Sequence, residues 1–203
     1  MLKQVVLMGL LGMSASAMAG AWQVKVAASI VDPTDSTFVS DVGTVEATRE
    51  AAFTPSVEYF FDDNLSVELL LATPINHGVT VAGDKSLEIK QLPPVLTLKY
   101  HFNNASPFTP YIGVGGVAFI PWDEDEKGNL AGTDVKVKES YGFAGQVGVN
   151  FKPADAKNWG VFLDVRYAQV EPEVDVKVNG ERFKKFDLDI NPLVYTAGYS
   201  YKF

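Results

Sequence analysis

The 203-residue chain contains no cysteine. That excludes a disulfide framework, a thiolate metal site and a cysteine nucleophile. Long hydrophobic runs are missing too: beyond the N-terminus nothing approaches the roughly 18 unbroken apolar residues of a membrane-spanning helix. Cations are outnumbered, 17 Lys and Arg against 25 Asp and Glu, for a formal charge of −8. A phosphate backbone needs clustered Lys and Arg, so nucleic acid is not an expected partner. Only two histidines are present, His77 and His101. Ser-His-acid hydrolysis needs a nucleophile within hydrogen-bond reach of its base. No serine is obviously paired with either histidine and no nucleophile-elbow motif occurs, so no enzyme activity is expected. No resident metal or cofactor is expected either. The run Asp123-Glu124-Asp125-Glu126 departs from the EF-hand spacing; it reads as a solvated loop, or as one bridged by calcium or magnesium to lipopolysaccharide.

The N-terminus has the build of a secretory signal: Lys3, then an apolar run over Val5–Met13, then Ala17-Met18-Ala19 as an A-x-A cleavage site. The run is too short to cross a bilayer as a helix. Residues 1–19 are therefore expected to be a cleaved signal peptide and residues 20–203 the mature domain.

What that domain does have is alternation. In the last stretch, Phe203, Tyr201, Tyr199, Ala197, Tyr195 and Leu193 fall on one side, and Lys202, Ser200, Gly198, Thr196, Val194 and Pro192 on the other. Period two means a β-strand with one greasy and one wetter face. The pattern recurs in Trp22–Ile30, Pro55–Phe61, Leu65–Thr73, Val95–Phe102, Tyr141–Phe151 and Trp159–Val170, with a glycine-rich strand at Tyr111–Phe119 whose facing the pattern leaves open. That makes eight strands. The polar stretches Val31–Phe53, Pro74–Lys90, Ile120–Glu139 and Glu171–Asp189 alternate strictly with short turns. Aromatics gather at the short-turn ends: Trp22, Tyr59, Phe61, Tyr100, Phe102, Phe151, Trp159, Tyr201 and Phe203.

A second set of aromatics, Phe53, Phe119, Trp122, Tyr141 and Tyr167, falls near the opposite ends; an even strand count, short turns on one side, long loops on the other and two aromatic belts describe an eight-stranded antiparallel transmembrane β-barrel of an outer membrane. Its surroundings are then lipid and lipopolysaccharide. A soluble lipocalin-like barrel shares the count, but it keeps its greasy face inside and needs no belts. The aromatic strand ending in Phe203 also resembles the signal that outer-membrane barrels present to the barrel-assembly machinery.

In a membrane barrel the polar faces turn inward. They carry Lys25, Lys99 and Arg166 against Glu58, Glu68 and Asp164. These six either neutralise one another and fill the interior, or form a polar constriction beneath a ligand cavity. Towards the long loops the inward face is less polar, with Leu70, Ala72 and Val194; Phe162 lies on the same face of its strand, and Trp122 follows Pro121 at the start of the third loop. These side chains either pack together or line a cavity for an apolar guest. With charges below, such a guest would leave sideways between strands, where prolines such as Pro55, Pro74, Pro94, Pro121 and Pro192 weaken pairing.

Several segments resemble the OmpW family of small outer-membrane proteins: NLSVELLLATPINH (Asn64–His77), LPPVLTLKYHF (Leu92–Phe102), FTPYIGVGG (Phe108–Gly116), GFAGQVGVNF (Gly142–Phe151) and the terminal DINPLVYTAGYSYKF. The long loops do not carry the likeness. The resemblance implies a narrow, largely hydrophobic channel for small hydrophobic molecules, with His77, inside a matching segment, at its mouth. The alternative is a non-conducting structural or surface-interaction barrel.

Overall fold

The computed structural model describes residues 22–40, 43–73, 75–81, 83–126, 133–178 and 180–203, with the side chains at 75–77, 84, 85, 89, 92 and 122–125 outside that description. The signal peptide expected over residues 1–19 lies outside it as well.

Eight staves close into a barrel. They are β1 (Trp22–Asp32), the pair β4 (Glu50–Phe53) and β5 (Ser56–Phe60) as one stave bent at Thr54-Pro55, β6 (Leu65–Leu70), β9 (Val95–His101), the first part of β10 (Phe108–Glu126), β12 (Ser140–Phe151), β13 (Trp159–Ala168) and β16 (Leu193–Lys202). Each pairs antiparallel with its neighbours, and β16 closes on β1 from Gln23↔Lys202 to Asp32↔Leu193. Closure satisfies every stave along both edges, which a bilayer interior demands because it offers no water to bond a free edge.

The orientation separates a membrane barrel from a calyx. Leu69, Val147, Leu163 and Tyr199 are 37%, 56%, 60% and 42% exposed, while Glu68, Gln146 and Asp164 are 3%, 4% and 4% exposed. Apolar side chains face outward and polar ones inward, the arrangement that lipid rather than water stabilises. At the short-turn end the outward aromatics touch in series: Trp22–Tyr59 at 5.0 Å between centroids, Tyr59–Phe61 at 5.3 Å, Tyr100–Phe102 and Tyr201–Phe203 each at 5.2 Å. These are the rings of an interfacial belt.

The long connections are not open loops. β10 runs past Phe119 to Glu126 and pairs there with β8 (Asp84–Leu92), followed by β7 (Ile75–Val81), β3 (Gly43–Ala47) and β2 (Ser36–Val39). A second, three-stranded sheet joins β11 (Asp134–Val137), β14 (Glu173–Val178) and β15 (Glu181–Asp187). The barrel therefore continues beyond the membrane as a β-dome, so the stretches that read as long polar loops are largely strand. The hairpins reverse at Gly83 and Gly180, whose φ of 88° and 84° suits glycine. Val39, Val45, Val79, Val81, Leu87, Val135, Val174 and Val176 turn into the dome and join Leu70, Val95, Val117 and Phe119 of the barrel in one apolar core.

Candidate functional site

The lumen has two halves of different chemistry. In the half nearer the short turns, the six charges meet in one layer. Lys25 Nζ lies 2.5 Å from Glu58 Oε2 and 3.1 Å from Glu68 Oε1; Lys99 Nζ lies 3.0 Å from Glu58 Oε1 and 3.2 Å from Glu68 Oε2. Arg166 reaches Glu68 at 3.5 Å and Asp164 at 3.8 Å. Register explains the meeting: Glu58 faces Glu68 across β5–β6, and Ser66 and Gly113 flank Lys99. Three cations against three anions leave no net charge in a low-dielectric interior, the condition under which buried ions are tolerated.

Neutral groups complete the layer. Gln146 Nε2 donates to Thr97 Oγ1 at 3.1 Å while its Oε1 accepts from Arg166 Nε at 2.8 Å and also from Nη2. Tyr111 donates to Asp164 Oδ2 at 3.0 Å, Ser56 to Glu68 Oε1 at 2.7 Å and Ser66 to Glu58 Oε1 at 2.6 Å. Lys99 sits 3.9 Å from the centroid of the Tyr111 ring. Phe162, expected among apolar lining groups, belongs here instead: Lys25 Nζ stands 5.0 Å from its centroid. The inward parity of β13 places it one pair below Asp164, away from the apolar half.

His101 Nε2 lies 2.9 Å from both Ser66 Oγ and Glu58 Oε1. A serine is thus paired with a histidine, contrary to expectation. A catalytic relay needs the acid on one ring nitrogen and the hydroxyl on the other; here both crowd the same nitrogen, and Glu58 is held by two lysines. His101 lines a vestibule of about 590 Å³ at the short-turn end, whose wall mixes Gln23, Asn64, Asn150, Asn158 and Lys202 with the rings of Phe60, Phe151 and Trp159.

In the other half, Leu70, Ala72, Val95, Val117, Phe119, Ala168, Val170, Ile190 and Val194 surround a small apolar cavity of about 50 Å³. Arg166, Gln91 and Thr54 contribute to its wall. Of the residues expected to line a channel, the structure brings Leu70, Ala72 and Val194 together. His77 lies on β7 and Trp122 on β10, and the side chains of both are outside the described residues.

Beside the cavity the β-ladder is interrupted. β6 pairs with β9 up to Leu70↔Val95, and β7 with β8 from Ile75↔Gln91. Between these pairs, Leu71 and Thr73 send their N–H groups the other way, to Pro55 and Phe53, and Pro93 and Pro94 have none to give. Leu70, Ala72, Pro93 and Val95 border this gap and the cavity alike.

Alternation places Ser66 and Gln146 on inward faces without naming them in the charged layer, and it leaves out Tyr111 and Gln91. The strand carrying Tyr111 has glycines at 113, 115 and 116, which hide its alternation.

The sequence model of the OmpW family matches residues 16–203. Outer membrane protein W of Vibrio cholerae is 36% identical over 71% of this chain and 70% of its own length. Outer membrane protein W of Escherichia coli is 30% identical over 90% of this chain and 89% of its own length. The crystal structure of the outer membrane protein OprG from Pseudomonas aeruginosa superposes with a TM-score of 0.79 at 29% identity, covering 91% of this chain and 96% of that one.

Proposed function

The chain belongs to the OmpW family and is an eight-stranded barrel of the outer membrane; on that premise we propose that it accepts small hydrophobic molecules in the dome-side half of its lumen and releases them sideways into the membrane. The observation that carries this reading is the apolar cavity, closed below by paired charges and bordered by the gap at Pro93-Pro94. An apolar guest gains about 25 cal/mol for each Å² it withdraws from water. It gains nothing by entering the layer of Lys25, Glu58, Glu68 and Lys99, where it would separate ion pairs without replacing their hydrogen bonds. The low-cost exit is the interrupted ladder, since parting Leu71–Thr73 from Pro93-Pro94 breaks no backbone bond between them. At about 50 Å³ the cavity has room for little more than a water-sized group, so a guest must widen it.

The test is flux of an apolar probe into vesicles whose outer leaflet is lipopolysaccharide, with the native protein and with Leu70→Arg. A cation placed in the cavity wall is expected to reduce protein-dependent flux at least tenfold. Equal flux in both would remove this path; flux no faster than through protein-free vesicles would leave a structural or surface-interaction barrel.

A further inference from the structure

The apolar cavity is not apolar throughout. Arg166 is 3% exposed and stands where the cavity meets the charged layer. Its Nε and Nη2 are committed to Gln146, Glu68 and Asp164, whereas among the described residues nothing accepts from Nη1. A guanidinium carries five N–H donors and is always charged, so an idle Nη1 is an unspent donor in a dry site. Gln91, on β8 opposite Pro121, lies four residues beyond Val95 towards the dome. It is 5% exposed, it lines the same cavity, and its Oε1 has no hydrogen-bond partner among the described residues. Buried polar atoms normally find partners; Gln91 Oε1, which has none, and the uncommitted Nη1 stand on the wall of one cavity and mark a place for a polar group brought by something else.

We propose, resting on the reading above, that the cavity selects single apolar chains bearing an oxygen acceptor, such as medium-chain ketones and esters, over plain hydrocarbons, with Arg166 Nη1 donating to that oxygen. The chemistry is one-sided. The guanidinium only donates, so the guest must accept. Glu68 at 3.5 Å and Asp164 at 3.8 Å already balance the arginine charge, so a neutral acceptor is favoured over a carboxylate, which would add an unpaired negative charge to the layer. The tail then lies among Leu70, Val95, Val117 and Phe119. Gln91 takes the second polar group of a guest that has one at its far end, its amide being able to present either oxygen or nitrogen.

The experiment measures protein-dependent flux of 2-decanone and of decane into vesicles with a lipopolysaccharide outer leaflet. For the native protein the ketone is expected to pass about tenfold faster than decane, the worth of one hydrogen bond from a charged donor. Arg166→Met is expected to bring the ratio close to one. Because that change also leaves Glu68 and Asp164 short of a partner, Arg166→Lys is measured beside it; it keeps the charge balance but withdraws the planar fork, and the ratio is expected to fall there as well. Equal passage of both probes through the native protein overturns acceptor selection while leaving hydrophobic passage in place. A ratio unchanged in a folded Arg166→Lys variant overturns the role of Nη1. If neither probe passes faster than through protein-free vesicles, the transport reading itself falls.

Discussion

Tyr111 on β10 lies directly over Gly148 on β12: a β-carbon at residue 148 would come within 2.4 Å of the tyrosine Cζ and Oη. That absent side chain is what lets the phenol pass over β12 and donate to Asp164 on β13. Gly113 makes the same kind of room, since a β-carbon there would stand 2.8 Å from Gln146 Cγ and Nε2. The charged layer is therefore built as much from glycines in the wall as from the charges themselves.

Gly148→Val is expected to expel Tyr111 from its place and to cost about 1–3 kcal/mol, the usual penalty of overpacking. Gly116, whose added β-carbon would meet only a carbonyl oxygen at 3.5 Å, is the control: Gly116→Ala should stay within about 0.5 kcal/mol of the native protein. Equilibrium unfolding in urea from lipid vesicles compares the two.

Glu68 touches Lys25, Lys99 and Arg166. Glu68→Gln leaves the layer with an uncompensated positive charge, and a loss of about 3–5 kcal/mol is expected. Adding Lys99→Met restores the balance and should return part of that loss. The unfolding midpoints of the single and double variants, taken as a double-mutant cycle, give the coupling. An additive pair would show that the ions do not act as one layer.

Pro93→Ala supplies an N–H donor at the gap beside the cavity. The new amide at residue 93 is expected to be protected from exchange, and flux of a hydrophobic probe to drop several-fold. Unchanged flux with a repaired ladder would place the exit elsewhere.

The dome sheet should respond to acid. Arg182 bonds both carboxylate oxygens of Asp175 at 2.8–3.1 Å and holds that carboxyl below its ordinary range. Lys138 and Lys185 lower Glu173 in the same way. A carboxyl depressed in the folded state stabilises it above the unfolded value, near pH 4, and that contribution disappears as the pH falls through the folded value. Amide exchange in β14 and β15 is thus expected to accelerate below about pH 4, sooner than in β13 or β16. Asp175→Asn should shrink that difference. Exchange that speeds up equally in all four strands would mean the pairs contribute nothing local.

Much of this was legible in the residues. Period-two alternation in β1, β6, β9, β13 and β16 set both faces without ambiguity, and parity alone put Lys25, Glu58, Glu68, Lys99, Asp164 and Arg166 inside. Where glycines replace side chains, as along β10, alternation has nothing to read and the inward turn of Tyr111 was lost. The dome was missed for a different reason. Val174, Val176 and the Asn179-Gly180 pair do carry a hairpin signal, but the charged residues between the valines disguised it as a solvated loop.

The sequence by itself determined that this is a membrane barrel, how many staves it has and which way the side chains of its alternating staves turn, because facing is a local property of a strand and lipid rewards only one choice. Tertiary structure alone decided which inward residues meet. Whether Arg166 reaches Gln146, whether Gln91 and Leu70 share a cavity, and whether Pro93-Pro94 border it all depend on register and barrel closure. Those relations join different strands, and no spacing along the chain encodes them.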